Sequence, residues 1–430
     1  MRIAFVSSYF SEGMGHTENM LPKALSHLGH EVHVVASTLQ VYGNQSDYLQ
    51  NYQAFLGPAE CPPGRSTIDG FALHRVPFYS VRSYIGLRGL GQVLRDIRPE
   101  IVHFGEAAGL SALATLLRPG RLPWPVFTEN HQHASVAWRP KALHFPARQW
   151  AILYYRATRT WPVGLAHRRA EKCFAITGDC AETACRLYGI PREKIVILPL
   201  GTDTDLFRPC ASDAELAERE RTRRLWGVQE DDILCVYSGR FSAAKNPLLL
   251  AQAIAILRQR GQPYRAVFVG EGAQCGAIRA TPGCSVVAFM RHVDLAPVYH
   301  AADIGVWPCQ ESMSMLDAAA SGLPLVVSDQ MGEQERVQGN GRAFREGEVS
   351  SLVQAILSLR EKRTRQELSS VGRKKMVSDF SWRKHAETYV QYYVDGLSSK
   401  TSLGSGLRMN RGYFSERHKE RGKKVKTEES

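Results

Sequence analysis

The sequence has no cysteines in C-x-x-C spacing, and no apolar run approaches the ~18 residues of a membrane-crossing helix. Its nine cysteines are odd in number and scattered, which argues against a disulfide framework or a zinc ribbon and for a reducing compartment. The opening MRIAFVSSYF is too short for a signal segment and lacks a small-residue cleavage site. The longest apolar candidate, Leu110 to Leu117, is bounded by Glu106 and Arg118. A soluble, cytoplasmic protein is therefore expected. A full G-x-G-x-x-G is also missing, because Glu18 stands where the third glycine would be, so dinucleotide chemistry is set aside. No pair of carboxylates presents itself as the two arms of a glycosidase.

What is present points to a folded chain. With 44% apolar and 22% charged residues over 430 positions, neither a disordered chain nor a coiled coil fits, and two or three domains are expected. The net charge of +12 is uneven. From 135 to 172 there are eight Arg and Lys against one acid, Glu171; from 401 to 430 there are eight against four. The second cluster reads as a disordered basic tail, and no nucleic acid is expected as a partner. In the first, Arg139, Lys141, Arg148, Arg156, Arg159, Arg168 and Arg169 alternate with Trp150, Tyr154, Tyr155 and Trp161. Rings and cations together suit an anionic membrane surface, as at the inner membrane face. The competing readings are a basic groove and a helix that packs its rings inward.

Short β-branched runs alternate with helical stretches, the pattern of parallel α/β structure. Strands are expected at 2–8, 31–37, 101–105, 125–129, 172–177 and 194–200, with a helix from Asn19 to Leu28 stopped by Gly29. A second set follows Pro209, with strands at 233–239, 265–270, 284–289, 303–308 and 324–329. Helices are expected at 213–224, 247–260, 295–300, from about Ser314, at 349–360 and at 382–397. This is α/β structure with two Rossmann-like parallel-sheet halves. Ligands bind outside the carboxyl ends of such strands, so a cleft between the halves is the expected site.

Three loops could serve an anion there. Gly13, Met14 and Gly15 lie between the first strand and helix, where glycines let backbone N–H groups approach a ligand. Gly239, Arg240 and Lys245 follow a buried strand, and two fixed cations at its edge would neutralise a diphosphate. At 308–324, Ser312 or Ser314 would cap a helix that Gly322 ends, and its first turn is a site for phosphate. Asp317, about one turn inside, suits a ribose diol. Asp203-Thr204-Asp205 resembles a metal clamp in spacing, but its place between the halves favours turn-capping acids.

Taken in order, these segments resemble retaining glycosyltransferases of the GT-B fold, the glycosyltransferase group 1 family, over roughly residues 1 to 397. The resemblance rests on the Gly13/Gly15 loop, Leu28 to Val32, Arg98 to His103, Lys194 to Asp203, Gly239 to Phe241 with Lys245-Asn246, Val269 to Gly272, Tyr299 to Asp303, and Leu316 to Pro324. Phe380-Ser381-Trp382 looks like the start of the family's final helix, which crosses back to the first half. The resemblance implies an acceptor domain over 1–203, completed by the helix at 380–397, and a donor domain over 204–379. Arg240 and Lys245 match the pair that stabilises a leaving diphosphate. Asp317 matches the second acid of an E-x7-E motif, which holds the ribose. Ser312, Met313 and Ser314 match the phosphate-binding turn, and His131 the histidine near the transferred sugar. Glu335 is a further candidate acid.

The first motif glutamate falls on Cys309, and Glu311 is the nearest acid. The implied activity is hexose transfer from a nucleoside-diphosphate sugar to an acceptor hydroxyl, on a glycan, a lipid-linked carrier or a small molecule. Anomeric retention is implied, with no obligatory metal or cofactor. A catalytically inactive nucleotide-sugar-binding homologue is the alternative.

Overall fold

The computed structural model describes residues 1–81, 84–134, 147–309, 312–332 and 334–402. The first half contributes β1 (Arg2–Ser7), β2 (Glu31–Ser37), β3 (Gly64–Ile68), β4 (Phe71–Val76), β5 (Phe78–Val81), β6 (Tyr84–Leu87), β7 (Ile101–Phe104), β8 (Val126–Asn130), β9 (Lys172–Ala175) and β10 (Ile195–Ile197). The second contributes β11 (Ile233–Ser238), β12 (Tyr264–Val269), β13 (Cys284–Val287), β14 (Ile304–Trp307), β15 (Leu325–Ser328) and β16 (Gly341–Phe344).

Eight strands form one sheet in the order β10-β9-β8-β7-β1-β2-β4-β3, and six form another in the order β13-β12-β11-β14-β15-β16. Within these two sheets every pairing is parallel except β3 with β4. Parallel strands are covered on both faces, which is why Ile3-Ala4-Phe5-Val6 reads as an unbroken apolar run and is buried throughout. The architecture is two Rossmann-like domains, as the alternation implied. The strands from 64 to 87 were not foreseen. β3, Gly-Arg-Ser-Thr-Ile, is an exposed edge strand and carries no apolar signal. β5 and β6 form a separate hairpin.

Each sheet has one strand at which the chain reverses its direction of growth. β1 lies between β2 and β7, and β11 lies between β12 and β14. The loops after β1 and β7, and those after β11 and β14, flank the two crevices. The final helix, Trp382–Ser402, returns to the first domain and packs on the helix Thr17–His27. Its Trp382, Tyr389 and Tyr393 are buried in the first domain's core, each ring contributing on the order of 2 kcal/mol of burial.

Candidate functional site

A cavity of 280 Å³ lies between the domains. Its walls include Gly13, Met14 and Gly15 from the first domain and Gly239, Arg240, Lys245, Ser312, Met313, Ser314 and Asp317 from the second. The structure thus gathers three loops that sequence reasoning chose separately. Glu311 lies outside the described residues, and Glu335, in a short 3-10 turn, is not among the lining residues.

The helix Met313–Ala320 points its first turn at this cavity. Ser312 is its N-cap residue in extended backbone. The Ser312 and Ser314 hydroxyls are 2.8 Å apart, and Ser314 Oγ donates to the Ser238 carbonyl. That bond ties the helix start to the end of β11. Asp317 is 2% exposed, and both its oxygens have partners. Thr202 Oγ1 donates to Oδ1 at 2.7 Å, and His292 Nε2 stands 3.0 Å from Oδ2. A carboxylate has about four acceptor positions, so the aspartate retains capacity for a ligand hydroxyl.

His292 also explains the glycines. A Cβ on Gly15 would sit 2.4 Å from the His292 ring, and Gly13, at φ +77°, accepts a 2.7 Å bond from the His292 N–H. The small residues let the two domains touch, a requirement distinct from approach to an anion.

Arg240 reaches across the cavity. Its Nη2 pairs with Asp47 Oδ2 at 3.0 Å, and its guanidinium lies 5.4 Å from the Tyr52 ring centre and 5.9 Å from that of Tyr42. A diphosphate entering here would compete with Asp47. The pair is partly exposed, and such pairs are worth about 0.2–1 kcal/mol. Asp47→Asn should therefore raise affinity for a nucleoside diphosphate by up to about five-fold. Calorimetric titration checks this, and a weakened affinity would contradict the competition.

His131 is not in this cavity. It lines a second one, of 340 Å³, at the carboxyl end of the first sheet with Ser8, Tyr9, Tyr84, Glu106, Glu129, Gln132 and Tyr188. Glu129 is buried. Burial alone would raise its carboxyl, but bonds from His103 and His131 outweigh that and hold it well below the usual range. Tyr389 of the returning helix also donates to it, at 2.8 Å. Burial would lower the imidazole of His131, and the Glu129 bond overrides it, so His131 is raised. Burial pushes the Glu106 carboxyl up to about 7, although Ser8 donates to it from both N and Oγ.

Sequence reasoning missed Asp47, Thr202, His292 and Glu106. Only Glu106 carried a usable signal, as an acid one residue beyond the expected strand 101–105. Asp203 does cap a turn: Oδ1 accepts from the N–H groups of Asp205 and Leu206, and Oδ2 from Lys23. Among the described residues no group of three or more His, Cys, Asp or Glu side chains is arranged to hold a metal ion.

The stretch from 147 to 167 is helical, as Ala147–Tyr155, a π-helical turn Arg156–Thr160, and Trp161–His167. Trp150 is 69% exposed and Trp161 58%, with Tyr154, Leu153 and Leu165 also outward. Packing of these two tryptophans inward is thereby overturned. Arg169 instead donates to the carbonyls of Leu116, Arg118 and Gly120, and serves the fold. Trp138, Arg139 and Lys141 lie outside the described residues, as does the basic tail from 403. Among the described residues no helix is long and apolar enough to cross a membrane.

Comparison with known proteins matches residues 232–362 to the family described as Glycosyl transferases group 1, and residues 13–206 to Glycosyltransferase Family 4. The chain is 30% identical over 251 residues to a D-inositol 3-phosphate glycosyltransferase of Geodermatophilus obscurus, covering 52% of each chain. It is 24% identical over 220 residues to a UDP-Gal:alpha-D-GlcNAc-diphosphoundecaprenol alpha-1,3-galactosyltransferase of Escherichia coli, covering 48% of this chain and 56% of the relative. The chain spans about half the length of the curated relatives it matches. Among solved structures, a glycosyltransferase from Rickettsia africae superposes with a TM-score of 0.66 at 14% identity, over 92% of this chain and 98% of that one. HepE from Anabaena, solved with UDP, gives 0.65 at 15% identity over 92% and 100%. With both halves matched in order and the two-domain architecture shared, the chain belongs to the glycosyltransferase group 1 family, with a GT-B fold.

Proposed function

We propose that the protein is a retaining glycosyltransferase that moves a hexose from a nucleoside-diphosphate sugar to an acceptor hydroxyl. The observation that carries this is the convergence of Arg240, Lys245, the start of the helix Met313–Ala320 and Asp317 on one cavity, at the crevice of the second sheet. Residues 204–379 hold the donor in this reading, and 1–203 the acceptor, with His131 close to the transferred sugar.

As the glycosidic bond breaks, the bonding pair leaves with the diphosphate. The sugar gains oxocarbenium character, and the diphosphate gains charge. Arg240, Lys245 and the helix start meet that charge with fixed dipoles and cations. Asp317 accepts from the ribose hydroxyls and fixes the nucleotide's position. The acceptor oxygen bonds to the anomeric carbon from the face the diphosphate leaves and gives its proton to the departing phosphate oxygen, so the anomeric configuration is retained. Proton NMR of the first-formed product tests this, since the anomeric coupling should match the donor's. An inverted coupling would contradict retention.

The relatives and structural neighbours named above include one whose name specifies a diphosphoundecaprenol acceptor and one solved with UDP. They support a nucleotide-sugar donor and make a lipid-linked acceptor a natural extension. The outward rings of Trp150 and Trp161, beside Arg148 and Arg156, supply a surface for anionic lipid in the same reading. The protein should pellet with phosphatidylglycerol vesicles and stay in solution with phosphatidylcholine vesicles, and Trp150→Ser with Trp161→Ser should weaken pelleting several-fold. Equal pelleting with both lipids would remove the membrane from the account.

A further inference from the structure

A third cavity, of 760 Å³, lies on the first domain, apart from the two described above. Its volume falls in the range of small-molecule sites, ~300–1,000 Å³. It runs between the helices Leu90–Ile97 and Leu110–Leu116. The first of these leads into β7 and the second into β8, so both end at the amino edge of the sheet, opposite the crevice. Leu90, Gly91 and Leu94 line the space from the first helix, and Ser111, Ala114 and Thr115 from the second, in each case as one helical stripe. Gly91 and Ala114 add little side chain, which leaves a groove open between the helices.

The groove is apolar along its floor and basic at its end. Leu87, Leu90, Leu94 and Leu122 line it and are buried. Arg95, Arg98, Arg118 and Arg121 line it and are exposed. Among the described residues none of these four arginines pairs with a carboxylate, and no acid lines the cavity. The surrounding elements add positive charge. Arg169 donates to the carbonyls of Leu116, Arg118 and Gly120, and Lys400 to those of Leu122 and Trp124. Arg88 lies 5.9 Å from the ring centre of Tyr79, which lines the groove. The nearby acids are engaged elsewhere. Asp96 accepts from Gln92 Nε2 at 2.8 Å, and Glu100 from the Arg2 N–H at 2.7 Å. Glu171 acts on Lys400, yet burial, with Arg121 and Arg169 close by, holds that amine below its usual range. A helix end favours one cation. It does not account for four around one apolar space.

We infer that this groove binds one anionic phospholipid molecule, with an acyl chain along the leucines between the helices and the phosphate among Arg95, Arg98, Arg118 and Arg121. Guanidinium forks match phosphate oxygens, and the chain covers the apolar floor. A nucleotide or an acidic peptide would bring amides or a base, and beyond the hydroxyls of Tyr79, Ser111 and Thr115 the lining offers them little. The chain's own segment 401–430, with eight basic residues against four acids, would meet like charge here. The donor cavity and the rings of Trp150 and Trp161 contribute no residue to this groove, and the inference does not depend on the reaction proposed above.

The test uses the full chain and monomeric lysolipids, kept below the concentration at which they form micelles. Titration calorimetry should show one lauroyl lysophosphatidic acid bound per chain. Lauroyl lysophosphatidylcholine, with the same chain and no net charge, should bind at least ten-fold more weakly. So should glycerol 3-phosphate, which keeps the anion and lacks the chain. Arg95→Gln with Arg118→Gln should weaken lysophosphatidic acid at least five-fold. Gly91→Trp should do the same by filling the groove, and the helix has room for it, since the nearest side-chain atom to a Cβ there is Arg95 Nη1, at 3.9 Å. Trp150→Ser with Trp161→Ser should leave the affinity unchanged. Thermal unfolding shows which variants are folded, and if one groove variant is not, the other decides. Equal binding of the two lysolipids, glycerol 3-phosphate bound as tightly as the lysolipid, unchanged affinity in a folded groove variant, loss of binding in the Trp150 and Trp161 variant, or no saturable binding would each overturn the inference.

Discussion

Replacing Arg240 or Lys245 by alanine should lower turnover about 10²–10³-fold, equivalent to about 2.7–4 kcal/mol, the typical cost of losing one preorganised charge-stabilising group. Both residues border the interdomain cavity from the loop after β11. The diphosphate's charge grows as the glycosidic bond breaks, so the cations attract the transition state more than the bound donor. The loss should therefore fall mainly on kcat, with a smaller change in donor affinity. Arg240→Lys should rescue poorly, because an ammonium does not reproduce a two-pronged grip on phosphate oxygens. The double variant should lose less than the sum, since both cations act on one group. Steady-state kinetics of the four variants checks this, and near-unaltered turnover in the double alanine variant would refute the assignment.

The second large effect is expected at Asp317. Removing a charged acceptor from the ribose should weaken nucleotide binding by ~1.5–3 kcal/mol, on the order of 10- to 150-fold. The structure adds a cost, because Asp317→Ala strips the partners from Thr202 Oγ1 and His292 Nε2. Leaving such buried groups unpaired costs about 1–3 kcal/mol of stability. Asp317→Glu should be mild for binding, since the longer acid still offers two oxygens. Titration with UDP, GDP and ADP, together with thermal unfolding, separates the two effects. A folded Asp317→Ala protein with unchanged nucleotide affinity would contradict the ribose role.

The sequence showed what lies within one segment. Arg240 and Lys245 were legible because a buried strand precedes them and a helix follows. Asp317 was legible from the spacing between a helix cap and Gly322. The partners of these groups were not legible, because they come from distant segments. Thr202 lies 115 residues from Asp317, and Asp47 lies 193 residues from Arg240. No local pattern encodes those meetings. Gly13 and Gly15 show the same limit, since the first half gives no hint that His292 packs against Gly15. His131 came from the family resemblance alone, and nothing in the sequence showed that it faces a different cavity from Arg240. Nor did it show that Tyr389, from the far end of the chain, braces the Glu129 that holds it.

The most direct test of the account is a panel of UDP-, GDP- and ADP-sugars incubated with the full chain, read as nucleoside diphosphate released and free sugar formed. The account predicts slow hydrolysis of one donor class in proportion to protein concentration, accelerated by a suitable acceptor and lost in Arg240→Ala with Lys245→Ala. Tight binding of a sugar nucleotide without turnover, with or without acceptors, would contradict catalysis and leave a binding protein. Absence of both binding and turnover across the panel would contradict the donor site itself.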